Sequence, residues 1–202
     1  PHFLFNSLNA GAQLAMMEDA EQTGIFVEKM ADFFRYNVKK GQEDATLGEE
    51  LESVDNYIYI LNVRFAGDIH FSKEADESLE HVRVPSMILQ PIVENAVNHG
   101  IRDIEWEGRI HLTVTGDADY IRISVKDNGK GMTQEQIESV LSGNKEYGKE
   151  ESDSTGIGMN NVISRLELYY EEKGLVEISS EGEGKGTEVV VYIPVNYSNF
   201  RK

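Results

Sequence analysis

"YIRISVKDNGKGM" (120–132) decides how this chain is read. Ile121, Ile123 and Val125 alternate with polar residues, the period of a strand with one buried face. The strand ends on Asp127, and Gly129 and Gly131 follow at once. A carboxylate at a strand end, followed by residues without side chains, lets the backbone approach a flat ligand closely. Taken alone, the segment reads first as an ordinary polar turn, because paired glycines punctuate turns. What surrounds it settles its meaning.

Immediately upstream, "GRIHLTVTG" (108–116) alternates as a partner strand, and Gly116–Tyr120 closes the hairpin. Downstream, residues 133–155 are polar, contain glycine and show no clear period beyond Leu141, as expected of a lid. "GIGMNNVISRLELYY" (156–170) follows as a helix opened by Gly156 and Gly158, whose free N–H groups and positive dipole end suit a phosphate. "LVEISSEGEGKGTEVVVYIP" (175–194) is a second hairpin turning at Gly182–Gly186, with Thr187 in reach of an adenine ring or of a water beside it. On the other side, "PSMILQPIVENAVNHGI" (85–101) reads as a helix with Pro85 in its first turn. Ile92, Val93, Ala96 and Val97 face a core, whereas Glu94, Asn95, Asn98 and His99 are polar. Asn95 offers an amide oxygen to a hard cation such as Mg²⁺, which keeps several waters and shares phosphate oxygens.

Before Gly67 the texture is helical. "FLFNSLNAGAQLAMM" (3–17) and "IFVEKMADFFRYNVKK" (25–40) are two pieces, the second with a stripe of Val27, Met30, Ala31, Phe34 and Val38. "ATLGEELESVDNYIYILNVRF" (45–65) has Thr46 as N-cap with Glu49 three residues on, a capping-box pattern. Its apolar face is Leu51, Val54, Tyr57, Ile58, Leu61 and Phe65. "IHFSKEA" and "VRV" then read as short strands. The expected division is a helical region, 1–66, and an α/β region, 67–202.

The 202 residues carry a net charge of −17 and no cysteine. Disulfides and cysteine metal sites are excluded, and the acidic balance opposes general nucleic-acid binding. No apolar run approaches the roughly 18–20 residues of a membrane span. The apolar opening around His2 is expected to lie inside a longer protein, with upstream sequence missing.

In their order and spacing, "ENAVNHG", "DNGKGM", "GIGMNN" and "GEGKGTE" resemble the ATP-binding boxes of the GHKL superfamily, over about residues 68–195. "PHFLFNSLN", "RY" (35–36), "RF" (64–65) and "LQPIVENAVNHGI" extend the resemblance to the LytS-type sensor histidine kinases. It implies an α+β protein: an N-terminal helical dimerisation and phosphoacceptor region, then a two-layer α/β (Bergerat) sandwich with a mixed sheet. It implies ATP and Mg²⁺, with Asp127 on the adenine amino group and Asn95 on Mg²⁺. Asn98, His99 and Met159 fall in the ATP-binding boxes, and Gly129, Gly131, Gly156, Gly158 and Thr187 shape the pocket. His2 is the implied phosphoacceptor, and a neutral imidazole is a competent nucleophile near pH 7. Glu94 is a second candidate catalytic group. The implied partners are a response-regulator receiver domain and a second copy joined through the N-terminal helices. The implied location is the cytoplasmic side of a membrane-anchored bacterial sensor, the membrane being reached only through the missing upstream region.

The pattern has departures. Phe3 follows His2, and no acid occurs before Glu18. Asn98 stands where the resemblance often places Lys, which leaves His99, Lys130 and Arg165 as candidate phosphate cations. Pro91 occupies the place of the water-activating Glu of hydrolytic relatives, so a dedicated ATPase is not expected. Two rival readings are a GHKL serine kinase of the anti-sigma-factor type, which lacks the "PHFLFN" helices, and a non-catalytic ATP-binding module.

Overall fold

The computed structural model describes residues 7, 10, 11, 13, 14, 16, 17, 20–39, 44–65, 67–102, 104–143 and 155–195. His2 and residues 144–154 of the expected lid lie outside the described residues. The order of elements is α1 (Ala20–Lys39), β1 (Asp44–Thr46), α2 (Leu47–Arg64), β2 (His70–Ala75), β3 (Arg83–Pro85) and α3 (Leu89–Asn95). Then come β4 (Arg109–Gly116), β5 (Tyr120–Asp127), α4 (Gln134–Ser142), α5 (Thr155–Tyr170), β6 (Val176–Ser179) and β7 (Glu188–Pro194).

The main sheet has the order β2-β4-β5-β7-β6. β2 runs parallel to β4 and the remaining pairs are antiparallel, so the sheet is mixed. Alternation along the strands sorts its two faces. Ile110, Leu112, Val114, Ile121, Ile123, Val125, Val189, Val191 and Ile193 are buried and join one core with Leu89, Ile92, Val93, Met159, Val162 and Leu166 of α3 and α5. The opposite face is polar, where Ser124 Oγ and Arg122 Nη2 donate to Glu188 Oε1 at 2.6 and 2.8 Å. This is the expected two-layer sandwich.

α2 starts as its sequence dictates. Glu49 N–H donates to Thr46 Oγ1 at 3.2 Å, and Thr46 N–H donates back to Glu49 Oε2 at 2.8 Å. Its buried face is wider than the apolar residues alone define, because Glu50, Ser53 and Asn56 are buried with Leu51, Val54, Tyr57, Ile58 and Leu61. α1 packs on α2 through Phe26, Met30 and Phe33, with the Phe33 ring stacked on Tyr57 at a 5.7 Å centroid distance. That corrects the expected stripe. Val27 and Val38 are 48% and 83% exposed, so α1 carries two apolar faces and buries only one of them here.

Three further differences have local causes. Pro85 ends β3, paired with Asp44 of β1, and the helix begins only at Leu89. Met87 takes a left-handed φ of 60°, which turns the chain between strand and helix. Residues 134–142 form a regular helix with a Thr133–Gln136 capping box at its start and Gly143, φ 69°, at its end. Only Ile137 is buried in it, too little apolar signal to declare a period. Finally, β1 precedes α2 and pairs with β3 beyond residue 66, so a two-stranded ladder ties the expected helical region to the α/β region.

Candidate functional site

Asp127, at the end of the central strand β5, is 6% exposed. Its backbone N–H donates to the Thr187 carbonyl at 2.9 Å. Its carboxylate Oδ1 accepts from the Gly129 N–H at 2.8 Å and from the Thr187 N–H at 3.3 Å. Both bonds use Oδ1, which fixes the carboxylate plane and leaves Oδ2 to a ligand. Burial pushes the Asp127 pKa up, and the two backbone N–H groups pull it partly back. A buried carboxylate held this way is suited to receive an external N–H donor.

Glycines make this placement possible. A Cβ on Gly100 would stand 2.8 Å from the Asp127 carboxyl carbon. Gly131 (φ 71°) and Gly186 (φ 75°) are left-handed, and a side chain on either would meet a carbonyl oxygen at 2.0 Å, that of Gly182 and that of Asp127 respectively. Backbone bonds knit the same segments: Lys130 N–H to the Gly100 carbonyl at 2.9 Å, and Gly186 N–H to the Gly129 carbonyl at 3.1 Å. The three sequence boxes 94–100, 127–132 and 182–188 thus meet as backbone against backbone around one carboxylate. Sequence reasoning does not single out Gly100, and it names Gly186 only as the end of a hairpin turn. The available signal for Gly100 is its position at the end of a helix that faces the Asp127 turn.

The helix α3 continues through a π-helical turn, Ala96–Ile101, which widens the helix before it delivers Gly100 to Asp127. Asn95 is half-buried just before that turn. Its side-chain nitrogen is enclosed and has no hydrogen-bond partner among the described residues. No cluster of three or more His, Asp or Glu suited to a metal occurs among the described residues. A divalent ion here would therefore be held by the Asn95 amide oxygen together with oxygens of a bound phosphate and waters, whereas the enclosed Nδ2 is a donor left for an acceptor and not for the ion.

The other predicted residues sort as follows. Glu94 is half-buried and accepts from Gln90 Nε2 at 2.7 Å, and burial pushes its pKa up. Its charge is also felt by Tyr57 of α2, so Glu94 faces the helical region. Asn98 and Lys130 are exposed and His99 is half-buried. Gly158 lies against Pro91, where a Cβ would be 3.8 Å away, so the glycine turn opening α5 borders α3. Gly156 lies in the first turn of α5. Met159 is 3% exposed and belongs to the core, and Thr187 is 9% exposed and serves Asp127 through its backbone. Arg165 donates to the Ser86 carbonyl, which directs it to the chain before α3. Trp106 is a further residue that sequence reasoning misses: its Nε1 donates to the Asn128 carbonyl at 2.8 Å, beside the Asp127 turn.

A mixed sheet with a buried strand-end carboxylate among interlocked glycines defines an ATP-binding domain of the GHKL kind. The family described as "Histidine kinase-, DNA gyrase B-, and HSP90-like ATPase" matches residues 83–197, and that described as "Histidine kinase" matches residues 1–69. The chain belongs to the first of these, the histidine kinase-, DNA gyrase B- and HSP90-like ATPase family. It is similar to the sensor histidine kinase YpdA of Escherichia coli K12, with 34% identity over 96% of this chain and 32% of the relative. The sensor protein LytS of Oceanobacillus iheyensis is 30% identical over all of this chain and 34% of its own length. The chain thus spans about a third of the length of these relatives. Among solved structures, the catalytic domain of histidine kinase ThkA shares the fold at a TM-score of 0.53 and 21% identity, over 75% of this chain and 94% of that one. The histidine kinase domain of the Erythrobacter litoralis EL346 blue-light activated kinase does so at 0.52 and 18%, over 98% of this chain and 94% of that one. Among the described residues no helix is long and apolar enough to cross a membrane.

Proposed function

We propose that this chain binds ATP at Asp127 and transfers the γ-phosphoryl group to His2, for onward transfer to an aspartate of a response-regulator receiver domain. The observation that carries the reading is the Asp127 carboxylate. It is buried, it is oriented through Oδ1 alone, and none of the described residues bonds Oδ2. An adenine amino group is the donor that such an oxygen takes. Asn95, one helical turn before Gly100, would hold Mg²⁺, which neutralises phosphate charge when bound. The helix start at Gly156–Gly158 would face the phosphates with unpaired N–H groups.

In the transfer, a ring nitrogen of neutral His2 attacks the γ-phosphorus in line, the bond to the bridging oxygen breaks, and ADP leaves. Such transfer asks mainly for alignment and charge stabilisation, which suits a site with few ionised groups. Pro91 borders Gly158 and offers nothing to activate water. The family match over residues 1–69 supports a histidine acceptor over a serine-kinase reading. We place the division into a helical acceptor region, 1–66, and an ATP-binding region, 67–202, in the same proposal. The second, exposed apolar face of α1 supports pairing with another copy, and the sensor names of the relatives support a membrane-anchored parent acting from its cytoplasmic side.

Incubation of the chain with γ-labelled ATP and Mg²⁺ tests this. The expected result is label that is lost in acid and kept in base, and that is absent from Asp127→Asn at ATP concentrations near the wild-type Kd. Acid-stable label would point to a serine acceptor and overturn the reading.

A further inference from the structure

Glu50 is 1% exposed, in the first turn of α2, yet it carries a carboxylate. Four donors converge on it. The Tyr36 hydroxyl of α1 and the Met87 N–H bond Oε1, while the Ile88 and Leu89 N–H groups bond Oε2 at 2.9 and 2.8 Å. The Ile88 and Leu89 amides are unsatisfied donors at the start of α3, where a negative group is favoured by the helix dipole, and the Met87 amide lies directly before them. Met87, held by Glu50, is the residue with the left-handed φ of 60°, a conformation that a non-glycine residue keeps only when its surroundings impose it. Arg165 of α5 grips the same segment through the Ser86 carbonyl. Thus one short turn, Ser86–Leu89, is held from α1, α2 and α5, and it opens the helix that carries Asn95.

Other buried polar groups of α2 and α3 are less well satisfied. Ser53 Oγ and Asn56 Oδ1 on α2 and Gln90 Oε1 on α3 are enclosed without a hydrogen-bond partner among the described residues. Unpaired polar atoms weaken an interface relative to an apolar one. Glu50 is therefore the attachment of the α1–α2 pair that bears directly on the start of α3, beside the β1–β3 ladder and the Lys73–Asp55 ion pair that join α2 to the sheet region.

We propose that Glu50 is a positioning residue: with Tyr36 it fixes the Asn95 helix against the helical region that carries the acceptor, and so sets the rate of transfer without contributing to nucleotide affinity. This rests on the kinase reading above. Tyr36→Phe removes only the hydroxyl that joins α1 to Glu50. Glu50→Gln keeps the shape but puts an N–H₂ group against backbone donors. Because the chain has no cysteine, spin labels can be attached at Glu28→Cys on α1 and Thr115→Cys on β4, both exposed.

In the 202-residue chain the label-to-label distance should be narrowly distributed, and either substitution should broaden it. The rate of acid-labile phosphorylation should fall roughly 10- to 100-fold, the order that misplacement by about 1 Å costs, while the ADP Kd changes less than about twofold. An unchanged distance distribution overturns the proposal. So does a rate that holds or rises, or an affinity loss equal to the rate loss. If Glu50→Gln does not fold, Tyr36→Phe decides. If the unsubstituted chain takes no label, the kinase reading falls by that result, and the distances still judge the attachment made by Glu50.

Discussion

The carbonyl oxygen of Gly100 occupies the space that a side chain on Gly129 would need: a Cβ there would lie 2.1 Å from it. The end of the α3 helix and the turn after β5 are therefore interlocked at backbone distance. Nothing larger than glycine fits at position 129, and this contact ties the end of the helix that carries Asn95 to the Asp127 turn.

A methyl group at Gly100 should accordingly push against the Asp127 carboxyl, 2.8 Å from its Cβ. Gly100→Ala is expected to cost about 1–3 kcal/mol of stability, the usual range for overpacking. It should also weaken ADP binding, because the carboxylate is the group displaced. Thermal unfolding and calorimetry of the variant measure both. A variant as stable as wild type with unchanged affinity would show that the cradle yields.

Asp127→Asn should separate binding from folding. The amide oxygen can still accept from Gly129 and Thr187, so the turn persists. The charge-assisted bond to the ligand is lost, and ADP affinity should fall by about 1–3 kcal/mol. Calorimetry reads this directly; equal affinities would remove Asp127 from the adenine subsite.

The same substitution has a pH signature. Burial raises the folded-state pKa of Asp127 above its ordinary value of 3.8, so the folded state binds the proton more tightly than the unfolded state. Stability from this group is greatest when it is protonated and is lost as pH rises through the raised pKa. The substituted amide carries no such charge. The nucleotide-free Asp127→Asn protein should therefore gain stability relative to wild type as pH rises from 3.8 through the raised folded-state value, and keep that gain at higher pH. Urea midpoints across that range check it, and a gap that narrows with pH would contradict the assignment.

Trp106 is the chain's single tryptophan, bonded to the Asn128 carbonyl at 2.8 Å. Nucleotide entering beside Asp127 should alter its fluorescence, with the change saturating at the calorimetric Kd. In Trp106→Phe the signal should vanish. A titration of wild type with no change in emission would place the ligand elsewhere.

Much of this site is legible because its chemistry is local in sequence: a strand ending on Asp127, glycines directly after it, and an apolar helix interrupted by Asn95. What cannot be read is what depends on distant partners. Glu50 looks like an ordinary first-turn acid of a capped helix, and only the fold brings the Met87–Leu89 amides to it. β1 is three residues long, too short for a period, and exists through its ladder to β3. The stripe on α1 misleads because two apolar faces overlap there, and the one that packs on Tyr57 runs through Phe26, Met30 and Phe33. Arg165 resembles a phosphate ligand by its place after Gly158, yet its hydrogen bond goes to Ser86.

The central claim is that His2 accepts the phosphoryl group, and it is one of five histidines in the chain. His70 Nε2 lies 2.9 Å from Glu107 and His111 Nδ1 2.8 Å from Ser72 on the sheet, while His81 is exposed and His99 is half-buried in the Ala96–Ile101 turn. The direct measurement is mass-spectrometric mapping of the phosphate at neutral pH after incubation with Mg-ATP, in wild type and in His2→Gln. The account predicts modification at His2 alone, with no acid-labile label in His2→Gln and an ADP Kd unchanged from wild type. Full acid-labile labelling of His2→Gln, or phosphate mapped to another histidine, would contradict it.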